Sequence, residues 1–135
     1  MKDHVALIIK QGNKILFIKR SKFKKNLPNI WAFPTGTVKE GENIEKTTKR
    51  EAKEELGIEV EIDKTLVTKE LPEFGDRLYF QVCTIKSGLP TIQEPQEIDE
   101  IQWKSFKNFY ATYDNTQIGH GLVYLRNNPQ LWHSV

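Results

Sequence analysis

The segment from Asn43 to Gly57 limits the fold most strongly, because it predicts one well-defined helix among β-rich stretches. Asn43 is a suitable N-cap, Glu45 would lie in the first turn, and Gly57 is a suitable C-terminal stop. These signals predict a helix over Ile44–Leu56, about three turns long.

Short runs rich in β-branched residues lie on both sides of this helix. Residues 5–9 and 15–18 flank turn chemistry and predict an opening hairpin, and a short apolar piece at 30–33 ends at Pro34. Further strands are predicted at 60–62, 65–68, 78–85 and 97–103, with 71–76 as a loop. Ile118, Leu122 and Leu125 recur at helical spacing and predict a last helix that ends near Asn127. This order predicts an α+β fold with a mixed β-sheet held between helices.

Length and composition exclude several classes of protein. The 135 residues contain no stretch of linker composition, so we expect a single domain over residues 1–135. A formal charge of +2 argues against a general nucleic-acid binder and against a DNA duplex as partner. The N-terminal apolar run is shorter than a signal peptide requires, which predicts a cytoplasmic protein without a membrane partner. The single cysteine, Cys83, is expected to be a core thiol.

Three carboxylates cluster along the predicted helix. Glu51, Glu54 and Glu55 would form a stripe beside the apolar one, within reach of a single point above the helix surface. Like charges repel there unless a cation lies between them, and Mg²⁺ or Mn²⁺ prefers oxygen ligands. The alternative is an ordinary solvated helix surface with interspersed lysines.

Upstream residues complete a longer pattern, G-x5-E-x7-R-E-U-x-E-E-x-G-U, where U is aliphatic. The matching residues are Gly36, Glu42, Arg50, Glu51, Ala52, Glu54, Glu55, Gly57 and Ile58. This segment, residues 36–58, resembles the Nudix box of the Nudix hydrolases. Two positions depart from the usual pattern, since Thr35 stands where many members have glycine and Ala52 is a small aliphatic residue.

The resemblance implies a Nudix-type α/β/α sandwich and an enzyme that hydrolyses a phosphoanhydride bond in a nucleoside diphosphate linked to another moiety. It implies Mg²⁺ or Mn²⁺ held by Glu51, Glu54, Glu55 and the backbone carbonyl of Thr35. Gly36, Glu42 and Gly57 would form the scaffold of the box, with Arg50 orienting a metal-binding glutamate. Such a protein would be a monomer or a homodimer.

The general base and the substrate contacts are expected partly outside the box. Glu51 is the first candidate for the base, followed by Glu100 or Glu97, both from an acidic cluster that also holds Glu94 and Asp99. Arg20 lies in the basic run 19–25, at the end of the second predicted strand, and could clamp phosphate bidentately. The candidates for stacking a nucleobase are aromatic residues that could equally belong to the core or its rim: Phe23, Phe74, Tyr79 and Trp103. The histidines show no metal-ligand spacing, and His120, between two glycines, is the one of interest.

Three functions remain open from the sequence. The first is hydrolysis of a nucleoside triphosphate, in the manner of MutT-like members. The second is hydrolysis of a dinucleoside polyphosphate or of an RNA 5′ end, because residues 31–36 resemble the stretch before the box in such enzymes. The third, from another class, is a non-catalytic nucleotide-binding sensor, which the intact box glutamates and Arg50 disfavour.

Overall fold

The computed structural model describes residues 1–135 and contains seven strands and four helices. None of the four helices combines the length and the apolar character needed to cross a membrane. The strands are β1 (Lys2–Gln11), β2 (Lys14–Arg20), β3 (Trp31–Ala32), β4 (Thr35–Thr37), β5 (Glu59–Leu71), β6 (Asp76–Ser87) and β7 (Ile98–Lys104), and the helices are α1 (Ile44–Leu56), α2 (Phe106–Thr112), α3 (His120–Arg126) and α4 (Pro129–His133).

Strand β1 lies at the centre of a mixed sheet. It pairs in parallel with β6 and antiparallel with β4, and β6 continues antiparallel to β5. At its C-terminal end β1 turns back into β2, as the hairpin prediction required, and β2 pairs antiparallel with both β3 and β7. The predicted mixed sheet between helices is therefore confirmed.

Alternate residues of β1 enter two separate cores, one on each face of the sheet. Val5 and Leu7 belong to a cluster that includes Ala52 and Leu56 of α1, and Cys83 is buried in the same cluster. The opposite face is covered by the C-terminal helices, and its cluster is rich in aromatic residues. It includes Ala6, Ile8, Phe17, Phe80, Phe106, Phe109, Leu122 and Leu125. Because strand side chains alternate between faces, one strand serves both helical layers.

Several element predictions need correction. Residues 59–71 form one continuous strand instead of two, because shifts in the β5–β6 register absorb the irregular stretch around Asp63. The expected loop at 71–76 contains a 3₁₀ turn, Pro72–Phe74. Helix α3 begins at His120, and Ile118 instead forms a bridge with Trp31. Strands β3 and β4 and helices α2 and α4 were not predicted.

Candidate active site

Local signals fix both ends of α1, and with them the positions of its carboxylates. The Asn43 side chain accepts a hydrogen bond from the Lys46 backbone N–H at 2.7 Å. Gly57 adopts φ +68°, and its N–H donates to the carbonyls of Ala52 and Lys53. The helix keeps the bounds that the sequence predicts, so Glu51, Glu54 and Glu55 lie in its last two turns.

Arg50 joins the loop before α1 to the helix. Its Nε donates to Oε2 of Glu42 at 2.7 Å and its Nη2 donates to Oε1 at 3.0 Å, a two-pronged pair. The same Nη2 donates to the Thr37 carbonyl at 3.0 Å. Glu42 also accepts hydrogen bonds from the Lys39 backbone N–H and the Thr47 hydroxyl. The Arg50 hydrogen bonds, followed by that from Lys39, lower the pKa of Glu42 to about 2, so the carboxylate stays charged.

The remaining nitrogen of Arg50 contacts two of the three helix carboxylates. Nη1 donates to Oε1 of Glu51 at 2.7 Å and to Oε2 of Glu54 at 3.1 Å. Glu51 packs against Gly36, where a Cβ atom would overlap its side chain. Burial raises the pKa of Glu51, and the Arg50 hydrogen bond opposes that change. Gly36 thus leaves space for a carboxylate whose direction Arg50 sets.

Glu55 has the most unfavourable surroundings of the three. Its Oε2 atom is buried without a hydrogen-bond partner. Burial, followed by the negative charges of Glu51, Glu94 and Glu97, raises its pKa to about 9. The backbone N–H of Gln93 donates to the Glu55 carbonyl at 3.1 Å, which attaches the segment before β7 to the end of α1.

These donors fit a hard divalent cation in their chemistry. All are carboxylate oxygens, and the partnerless Glu55 oxygen is a buried acceptor that a cation would satisfy. The side chains as placed form no group of three or more acidic, histidine or cysteine residues that could hold a metal ion. Arg50 binds one oxygen each of Glu51 and Glu54 through its guanidinium. Metal binding would use their second oxygens or displace these contacts.

Arg20 lines a separate small cavity of about 130 Å³, with Thr35, Phe33, Leu27 and His120 among its other walls. Its Nε donates to the Leu27 carbonyl at 3.1 Å and its Nη2 to the Asn26 carbonyl at 2.8 Å. The guanidinium therefore holds the loop after β2 beside the cavity. Thr35, the residue before the box, lines the same cavity.

The other predicted contacts are not brought together with Arg20. Tyr79 lies in a different cavity of about 360 Å³, beside Ile44 and Glu45 at the start of α1. Phe74 is 70% exposed in the 3₁₀ turn and lines neither cavity. Glu100 lies on β7 opposite Lys19, at 3.9 Å from its ammonium.

The sequence did not identify some of the residues that contribute to the site. The Thr47 hydroxyl and the Thr37 carbonyl complete the surroundings of Glu42 and Arg50, and a threonine in the first turn of the helix is the one signal that was available. Leu27 forms part of the cavity wall and has φ +49°, a backbone conformation that a leucine in the sequence does not predict.

Comparison with known proteins gives one consistent result. A family model described as the NUDIX domain matches residues 2–124. Nudix hydrolase 2 of Arabidopsis thaliana is 32% identical over 107 residues, which are 77% of this chain and 38% of that protein. An 8-oxo-dGTP diphosphatase of Buchnera aphidicola is 43% identical over 56 residues, which are 42% of each chain. An RNA pyrophosphohydrolase of Campylobacter jejuni is 38% identical over 113 residues, 72% of this chain and 69% of that protein.

The fold also agrees with solved structures. A MutT NUDIX hydrolase from Burkholderia pseudomallei superimposes with a TM-score of 0.71 at 24% identity, over 99% of this chain and 97% of that one. The matched segments cover less than half the length of the Arabidopsis and Buchnera proteins.

Proposed function

The chain belongs to the NUDIX domain family, and from this premise we propose that it hydrolyses a phosphoanhydride bond in a nucleoside diphosphate linked to another moiety, with Mg²⁺ or Mn²⁺ as cofactor. The simplest such substrate is a nucleoside triphosphate. The observation that carries the proposal is Glu55, a buried carboxylate with a partnerless oxygen beside Glu51 and Glu54.

A protein keeps a buried, repelled carboxylate at a cost in stability, and such costs are typical of functional sites. Glu55 has no cation of the protein as a hydrogen-bond partner, whereas Arg50 is occupied by Glu42, Glu51 and Glu54. A divalent cation held by Glu51, Glu54 and Glu55 would relieve this repulsion. When bound, it would neutralise phosphate charge and lower the pKa of an attacking water.

The residues around these carboxylates orient them or could accept a proton. Arg50 fixes the direction of Glu51 while its contacts with Glu42 tie the preceding loop to the helix. Glu94 and Glu97, whose charges act on Glu55, are candidates for the group that accepts a proton from water, alongside Glu51. Glu97 and Glu100 are weaker candidates than Glu51 and Glu94, because each has a lysine as its charged neighbour, Lys24 and Lys19 respectively.

The cavity beside the box suits one end of the substrate. Apolar side chains, among them Phe33, Leu27 and Leu122, form its walls, and Arg20 and His120 add polar groups. A name among the relatives, 8-oxo-dGTP diphosphatase, supports a nucleoside triphosphate. Another, RNA pyrophosphohydrolase, supports the 5′-triphosphate of an RNA as a second candidate. A non-catalytic sensor is disfavoured because the box carboxylates and Arg50 are all present.

The test is phosphate and pyrophosphate release from nucleoside triphosphates, dinucleoside polyphosphates, ADP-ribose and 5′-triphosphorylated RNA, with and without Mg²⁺. The variant Glu54→Gln, Glu55→Gln serves as the inactive control, and Lys49→Ala, at an exposed position of the same helix, as the matched active one. Metal-dependent turnover that only the double variant loses supports the proposal. Nucleotide binding without turnover on any substrate contradicts it and favours the sensor.

A further inference from the structure

The loop between β2 and β3 presents an aromatic ring among cations. Phe23 is 78% exposed, although a solvated aromatic ring contributes no buried area to the fold. The Lys22 ammonium lies 5.3 Å from the centroid of that ring, and Lys24 and Lys25 follow it in the chain. We call residues 22–25 the loop tip.

Buried contacts hold the loop tip in place. Ser21 is fully buried, its hydroxyl accepts the Phe23 backbone N–H at 3.1 Å, and its carbonyl accepts the Lys24 N–H at 3.1 Å. The Asp99 carboxylate of β7 accepts the Lys22 backbone N–H at 3.0 Å. The exposed ring therefore stands on an ordered backbone, so a ligand that stacks on it would order few protein groups.

The loop tip is connected to both parts of the candidate site. The Lys24 ammonium forms an ion pair with Glu97, one of the carboxylates near Glu55. On the other side, Arg20 binds the carbonyls of Asn26 and Leu27, and Leu27 is a wall of the small cavity. Residues 22–25 directly precede Asn26 and Leu27, so the loop tip belongs to the same loop as a wall of the cavity.

We propose that the loop tip is a stacking platform for a base that follows the nucleotide whose phosphates are hydrolysed, so that the 5′-triphosphorylated end of a single-stranded RNA is bound more tightly than a free nucleoside triphosphate. This inference rests on the proposed function. Stacking on an aromatic ring accepts any base, and Lys22 and Lys25 supply charge for the intervening phosphate, since Lys24 is paired with Glu97. A free mononucleotide has no second base for this surface.

The kinetic test compares GTP with a 5′-triphosphorylated RNA trinucleotide in Mg²⁺, using Phe23→Ala, Phe23→Trp and Leu89→Ala. Leu89 is 84% exposed in the loop after β6, so its variant controls for loss of an exposed apolar side chain. We expect Phe23→Ala to raise KM for the RNA about tenfold, with KM for GTP unchanged, because one base loses its stacking partner. We expect Phe23→Trp to have the wild-type KM for the RNA, and Leu89→Ala to have the wild-type KM for both the RNA and GTP. Equal effects of Phe23→Ala on both substrates, or none on the RNA, overturn the proposal.

A binding measurement separates this proposal from the proposed function. Fluorescence anisotropy of a 3′-labelled, 5′-triphosphorylated RNA is recorded in the presence of a chelator, which prevents hydrolysis. The platform is supported, even if no substrate is turned over, when Phe23→Ala binds the RNA about tenfold more weakly than the wild type and Phe23→Trp binds it equally well. Turnover of GTP together with equal RNA binding by wild type and Phe23→Ala would overturn the platform and leave the proposed function standing.

Discussion

The carboxylate of Glu42 and the guanidinium of Arg50 meet through two hydrogen bonds, of 2.7 and 3.0 Å, that span eight residues of sequence. The pair connects the loop before α1 to the middle of the helix, and the third nitrogen of the same guanidinium reaches Glu51 and Glu54. The position of the candidate metal ligands therefore depends on a residue that need not touch the metal.

Arg50→Lys should separate this positioning role from simple charge. Lysine keeps the positive charge but cannot reproduce the planar fork that binds Glu42 and Glu51 together. We expect kcat/KM to fall about 10- to 100-fold, with a lower melting temperature. Steady-state kinetics and thermal unfolding measure the two effects. Lys49→Ala removes an exposed helical ion pair and should change stability by less than about 0.5 kcal/mol.

Gly36→Ala should displace Glu51, because the added Cβ would overlap that side chain. We expect Mn²⁺ affinity, measured by calorimetric titration, to weaken at least about tenfold. Gly12→Ala is the contrasting variant, since position 12 has φ +63° and no atom within 4 Å of a new Cβ. It should lose about 1–2 kcal/mol of stability through backbone strain and keep its metal affinity. Equal Mn²⁺ affinity in both variants would contradict the role given to Gly36.

Glu55 should make the stability of the chelator-treated protein depend on pH. Its pKa rises from an ordinary 4.5 to about 9 on folding, so the folded state binds a proton more tightly than the unfolded state. The contribution of Glu55 to the free energy of unfolding is therefore most favourable below about pH 4.5. It declines as the pH rises towards 9. At pH 8 we expect Glu55→Gln to raise the metal-free melting temperature by a few degrees, about 1 kcal/mol or more.

The comparison with metal completes this test. Saturating Mg²⁺ should stabilise the wild type at pH 8 and have a smaller effect on Glu55→Gln, because the cation replaces the missing partner only in the wild type. A variant as pH-sensitive as the wild type, measured by thermal unfolding between pH 5 and 9, would show that other groups dominate.

Cys83 should be unreactive in the native protein. The thiol is fully buried on the α1 side of the sheet, and burial raises its pKa to about 12. We expect negligible labelling by iodoacetamide at pH 8 over an hour, and one rapid labelling event after denaturation in guanidinium chloride. Mass spectrometry counts the adducts. Fast labelling of native protein would mean that this core opens far more often than its packing indicates.

The α1 helix was predictable to the residue, whereas β5 was not. The boundaries of α1 depend on Asn43 and Gly57, whose hydrogen bonds are made within a few residues of the helix ends. Strand β5 obtains its hydrogen bonds from β6, and shifts in their register accommodate a sequence whose alternation breaks near Asp63. The short strands β3 and β4 are defined by their pairing with β2 and β1, so no local sequence pattern predicts them.

The candidate site likewise combines features that the sequence predicts with features that depend on the tertiary structure. By itself the sequence determined the identity and the helical spacing of Glu51, Glu54 and Glu55, because the 3.6-residue period of a helix converts spacing directly into position. Only the tertiary structure decided that Glu55 is buried near Glu94 and Glu97, and that Tyr79 and Arg20 line separate cavities. Burial and long-range charge depend on segments that the sequence separates by tens of residues, and no periodicity within one segment reports them.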